Sequence, residues 1–179
     1  VEVLVDGQFG YYGTPNISKE GVDHASMNAY KQAKAASKYS VHSFSDDVRP
    51  KSIGTYKSPF IKHIKDVSAK ELNVLLLDAY KHLRVSDKIV SATSLATTIE
   101  TNFHYVSSNG SDILQEFLML EFDLSATAVE GSNQQTRTFG GMRGTCRQVG
   151  MEFLDQMEIL SQANKIGEQA IELLTAEET

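Results

Sequence analysis

The chain has 179 residues, 41% of them hydrophobic and 22% charged, and a formal net charge of −6. That length supports one domain with its own core, or at most two small ones. The acidic balance argues against a protein built around a basic nucleic-acid-binding face, and no apolar run approaches the roughly 20 residues needed to span a bilayer.

Val1, Val3 and Val5 alternate with polar neighbours and lead into Asp6-Gly7, after which Gln8 to Gly13 is extended again. Two short extended runs around Asp-Gly predict a β-hairpin. A chain that opens inside a strand is expected of a fragment. Ser18 is placed to N-cap a helix whose small-residue face is Val22, Ala25, Ala29, Ala33 and Ala36. Residues 41–67 carry Pro50, Gly54 and Pro59 and predict a long connection with one short strand near Val41. Ser68 and Glu71 form a capping box just before Leu72, Leu75, Leu76, Ala79 and Leu83, which predicts a helix over 69–83.

A β-rich stretch follows. Residues 88–100 are dense in Val, Ile and Thr, and Phe103 and Tyr105 alternate with Asn102 and His104. Asn109-Gly110 predicts a type I′ turn. From Ser111 to Val129, Leu118, Leu120, Phe122, Leu124 and Ala126 fall on one side of a period-two pattern, the mark of a long half-buried strand. Residues 130–150 are polar and glycine-rich and predict a mobile loop. Ile159, Ala163, Ile166, Ala170, Ile171 and Leu174 define a last helix, ahead of an acidic tail. The sum is a single α+β domain over 1–179, a mostly antiparallel sheet with two or three helices packed on one face.

Self-contained chemistry is hard to find. The histidines His24, His42, His63, His82 and His104 show no metal-ligand spacing. Cys146 is the single cysteine, so it forms no internal disulfide, in keeping with a reducing cytoplasm, and it follows no cysteine-protease signature. Gly140-Gly141-Met142-Arg143-Gly144 is neither a G-x-G-x-x-G nor a P-loop, and there is no G-x-S-x-G elbow. What the glycine-rich segment suits is contact with a peptide or partner, because Gly140 and Gly141 bring backbone close and Arg143 can meet an acidic group or a peptide C-terminus. An open edge on the neighbouring 111–129 strand would accept an extended peptide through its main chain. No catalytic residue and no metal ligand is assigned.

The order of features resembles the N-terminal half of the TldD/PmbA family, also called modulator-of-gyrase proteins. The resemblance rests on Val3-Leu4-Val5-Asp6-Gly7-Gln8-Phe9-Gly10, the Ala29/Ala33/Ala36 helix, the Leu72 to Ala79 helix and the Ser107-Ser108-Asn109-Gly110 turn. It continues through Phe139-Gly140-Gly141, Gly150-Met151-Glu152-Phe153-Leu154 and the helix ending at Ala176. It implies the non-catalytic part of a zinc metallopeptidase acting on unfolded or extended peptides, shaping the substrate channel and the dimer contact. The family's H-E-x-x-x-H signature is expected beyond Thr179, and zinc with it, so no cofactor is expected in this chain itself. The implied partners are peptide substrate and a homodimer or paralogue heterodimer, in the cytoplasm, without nucleic acid or membrane. The alternatives are the family's zinc-free paralogue subunit and a stand-alone binding or assembly module.

Overall fold

The computed structural model describes residues 1–141 and 143–176; Met142 of the glycine-rich segment and the tail residues Glu177, Glu178 and Thr179 lie outside the described residues. The described residues cluster into two compact units, one of residues 1–52 with the turn tip 108–110, the other of 53–107 and 111–179. Among them, no helix is long and apolar enough to cross a membrane.

In the first unit, Asp6 and Gly7 both take a left-handed backbone, at φ 49° and 73°. Positive φ at both central positions is what a two-residue type I′ turn demands. It joins β1 (Glu2–Val5) to β2 (Gln8–Tyr11) as the hairpin the sequence predicts. Helix α1 (Lys19–Ser37) starts at Ser18, whose hydroxyl accepts from the Gly21 amide at 3.2 Å. It buries Gly21, Ala25, Ala29 and Ala33, small residues that let helix and hairpin approach closely. Val22, assigned to that face by spacing, is exposed, and Gly21 takes its place. The strand expected near Val41 does not form. Phe44 instead returns the chain to the hairpin, its amide donating to the Gly7 carbonyl at 2.9 Å and its ring 5.2 Å from Phe9.

The second unit is a sheet with helices on one face. Its strands are β3 (Ile53–Lys57), β4 (Ile89–Val106), β5 (Asp112–Glu130) and β6 (Asn133–Phe139). β5 is central. β4 pairs with it antiparallel along nearly its whole length, while β3 and β6 share its other edge, β3 parallel and β6 antiparallel. Two elements were therefore not legible as strands: β3, inside the Pro- and Gly-bearing connection, and β6, inside the stretch predicted to be a mobile loop.

The alternation read from β5 holds. Leu118, Leu120, Phe122, Leu124, Ala126 and Ala128 are all buried. Leu120 and the buried residues after it pack against Ala79 and Leu83 of α2 (Ala69–Leu83) and against Ile159, Ala163, Ile166 and Ala170 of α4 (Ile159–Glu172). A short α3 (Glu152–Gln156) adds Leu154. Each buried Leu or Phe contributes roughly 1.5–3 kcal/mol, so this face holds the unit together. The predicted capping box is present in full: Ser68 Oγ accepts from the Glu71 amide at 3.2 Å, and the Glu71 carboxylate accepts from the Ser68 amide at 2.8 Å. The Asn109-Gly110 turn differs from expectation. Gly110 alone is left-handed, and the hairpin closes through the Ser107 amide on the Ser111 carbonyl at 3.0 Å. The Asn109 side chain is turned aside to donate to the Arg49 carbonyl at 2.9 Å.

Candidate functional site

The described residues of the glycine-rich segment form a turn that returns the chain to β5. Gly140, Gly141 and Arg143 all take a left-handed backbone, with φ of 76°, 66° and 58°. Thr145, buried, returns to β5: its hydroxyl accepts from the Phe122 amide at 3.1 Å and donates to the Phe122 carbonyl. Two residues on, Arg147 and Leu120 exchange backbone hydrogen bonds of 3.0 and 2.9 Å. The turn is also tight internally, since a Cβ on Gly144 would lie 1.8 Å from the Gly140 carbonyl oxygen.

That return fills the edge of β5 between β3 and β6. Ser58 fills the rest, its amide donating to the Glu116 carbonyl at 2.9 Å and its hydroxyl accepting from the Leu118 amide at 3.1 Å. The open β5 edge anticipated for peptide addition is therefore closed along its length. Of the predicted contact residues, Gly140 and Arg143 are exposed and Gly141 is half-buried, and a Cβ added to Gly141 would meet nothing within 4 Å. A left-handed Arg143 is an uncommon conformation for a side-chain-bearing residue.

A cleft of about 160 Å³ lies over the sheet, lined by Lys57, Ser58, Phe60, His63, Glu100 and Glu116 among others. None of these was singled out for a site by spacing, because β3, β4, β5 and the connection after β3 each supply part. The one local signal is the pattern of His63 and Asp66, which forms its own capping box. His63 Nδ1 accepts from the Lys65 amide at 3.1 Å, so the neutral ring carries its proton on Nε2, which lies 3.7 Å from Glu100. Lys65 also reaches Glu100, at 2.9 Å, and its hydrogen bond holds that carboxyl below the usual range. Lys57 pairs with Glu116 at 3.2 Å.

Ser58, His63 and Glu100 line one cleft, yet they are not a nucleophilic set. The Ser58 hydroxyl is buried, donates to Gln148 Oε1 at 3.2 Å and accepts from Leu118, so His63 has no role in activating it. The cleft is an ion-pair cluster suited to a small polar group. Glu152, within the Gly150-Met151-Glu152-Phe153 motif, also acts structurally: its carboxylate accepts from the amides of Lys62 at 2.9 Å and Gly150 at 3.0 Å. Burial raises its pKa, but these amides outweigh that and hold it low. Among the described residues no three His, Cys, Asp or Glu side chains converge to hold a metal, so they do not fit a zinc ion.

Comparison with known proteins bears on this arrangement. Residues 62–174 match the family described as PmbA/TldA metallopeptidase central domain. The chain is also similar to the crystal structure of a proposed modulator of a DNA gyrase from Thermotoga maritima, with a TM-score of 0.66 and 15% identity. That likeness covers 99% of this chain but 38% of the Thermotoga chain, and at such identity it shows the fold. No curated protein matches. The family match takes in α2, β4, β5, β6, α3 and α4, well over half of the residues, and so the chain belongs to the PmbA/TldA metallopeptidase family, through its central domain.

Proposed function

We propose that this chain is a non-catalytic part of a zinc metallopeptidase that acts on extended or unfolded peptides, and that it shapes the substrate channel and the dimer contact. The observation that carries this is the match of 62–174 to a metallopeptidase central domain. The glycine-rich turn supports a substrate-facing role. Thr145 and Arg147 fix its base to β5, while Arg143 is exposed in a defined conformation. A preformed turn loses little entropy on meeting a ligand, and an exposed guanidinium suits a carboxylate or a peptide C-terminus. Zinc would be held by an H-E-x-x-x-H segment elsewhere in the parent protein, working in the cytoplasm.

The test is made on the parent protein. A parent that carries H-E-x-x-x-H, holds one zinc per chain after dialysis and cleaves an unstructured peptide supports the proposal. A parent without the signature, without zinc and without cleavage overturns it in favour of a zinc-free subunit or a binding module.

A further inference from the structure

Seven asparagines occur in the chain, and Asn109 is the one followed by glycine. Five of the other six, Asn28, Asn73, Asn102, Asn133 and Asn164, lie in helices or strands, where regular pairing fixes the backbone. Asn16, in a loop, precedes the β-branched Ile17, and its Oδ1 already accepts from the Ser18 amide at 3.0 Å. Gly110 differs from Ile17 in having no side chain to crowd its nitrogen, and its φ of 86° is one that glycine adopts freely. Among the described residues its amide makes no hydrogen bond. Asn109 and Gly110 are both exposed. Lys51 stands over the same turn: a Cβ built on Gly110 would lie 3.1 Å from Lys51 Nζ.

We propose that Asn109 is a site of spontaneous deamidation, promoted by the Lys51 charge, and that the reaction unties the 108–110 tip from residues 49–51. The Gly110 nitrogen gives its proton to hydroxide and attacks Asn109 Cγ. The new C–N bond forms, the side-chain amide bond breaks, and its nitrogen leaves as ammonia with a proton from water, which returns the hydroxide. A succinimide ring remains, closed between neighbours on one chain that need no diffusion to meet. Water then opens the ring. Cleavage at Cγ leaves aspartate, and cleavage at the backbone carbonyl leaves isoaspartate, with the chain running through Cβ. One water is consumed and one ammonia released, with no change of oxidation state. The Lys51 ammonium stabilises the anionic nitrogen and the oxyanion that follows it. In the unreacted chain Asn109 Nδ2 donates to the Arg49 carbonyl at 2.9 Å. A carboxylate has no hydrogen to donate, so two acceptors would face each other and the tie would break. Arg49, Lys51, Asn109 and Gly110 all belong to the first unit.

Incubation of the folded chain in mildly alkaline buffer, followed by peptide mapping and isoaspartate labelling, reads the reaction. Asn109 should react at least about tenfold faster than any other asparagine, a barrier difference of about 1.4 kcal/mol. Lys51→Met should slow it about threefold at low salt, and the difference should vanish at high salt or in urea. Asn109→Asp, which makes one product directly, should speed trypsin cleavage after Lys51 and leave cleavage after Lys81, within α2, unchanged. An Asn109 that stays intact in the folded chain while it reacts in urea overturns the proposal. So does a rate indifferent to Lys51→Met at low salt, or an Asn109→Asp chain cut after Lys51 no faster than the parent. None of these readouts involves peptidase activity of the protein, so this proposal and the peptidase reading fail separately.

Discussion

The hydroxyl of Thr145 serves Phe122 as a strand partner would, accepting from its amide at 3.1 Å and donating to its carbonyl. Together with Ser58 at Leu118 and the Arg147 backbone at Leu120, it closes the stretch of β5 that neither β3 nor β6 reaches. The exposed position of Arg143 depends on it.

Thr145→Val keeps the shape but removes both hydrogen bonds from a buried backbone. An unsatisfied buried amide costs about 1–3 kcal/mol, and denaturant unfolding should show a loss of that size. Hydrogen exchange at Phe122 should speed up, and Thr145→Ser should restore most of both.

The turn itself should be intolerant at one glycine and permissive at its neighbour. Gly144→Ala would drive a Cβ to 1.8 Å from the Gly140 carbonyl oxygen, and the forced backbone shift should cost about 1–3 kcal/mol. Gly141→Ala has open space around it and should cost only the left-handed backbone, about 1 kcal/mol. Melting temperatures of the two variants measure the difference.

Period-two and period-3.6 patterns made β5, α2 and α4 legible, because each buries one face against the other two. Phe122 and Leu76 show where that signal ends. Phe122 is fully buried, but Leu76 is only partly so and lines a groove beside β4. Phe122→Ala should cost about 3–5 kcal/mol and Leu76→Ala clearly less, as chemical denaturation will show. β3 and β6 were not legible because their residues are mostly exposed, so no alternation marks them. The cleft around His63 was not legible either, since its residues meet only once β3, β4 and β5 are paired. Gly140, Gly141 and Arg143 stood out in the sequence by composition, yet Thr145, which fixes them, did not.

Two carboxylates should move stability with pH in opposite directions. Burial pushes the Asp123 carboxyl up, with Glu121 adding to it, and its Oδ1 is buried without a partner. A folded-state value above the unfolded one means that stability is lost as pH rises through that window. Asp123→Asn should therefore raise the melting temperature at neutral pH, and the gain should vanish as pH falls to the ordinary Asp range. The Ser68 hydrogen bonds hold Glu71 low, so its contribution is present above the ordinary Glu value and is lost as pH falls through the depressed one. Glu71→Gln should remove that acid-side loss, read as thermal unfolding between pH 3 and 5, roughly the carboxylate range.

Peptide cleavage by the full-length protein carrying Arg143→Ala tests the substrate-facing role most directly. Arg143 is exposed on a turn whose base stays pinned by Thr145 and Arg147. With the melting temperature and zinc content of the parent retained, kcat/KM for an unstructured peptide should fall by about tenfold, equivalent to about 1.4 kcal/mol of lost transition-state stabilisation. An unchanged kcat/KM in that folded, zinc-loaded variant would contradict the claim that this turn meets the substrate.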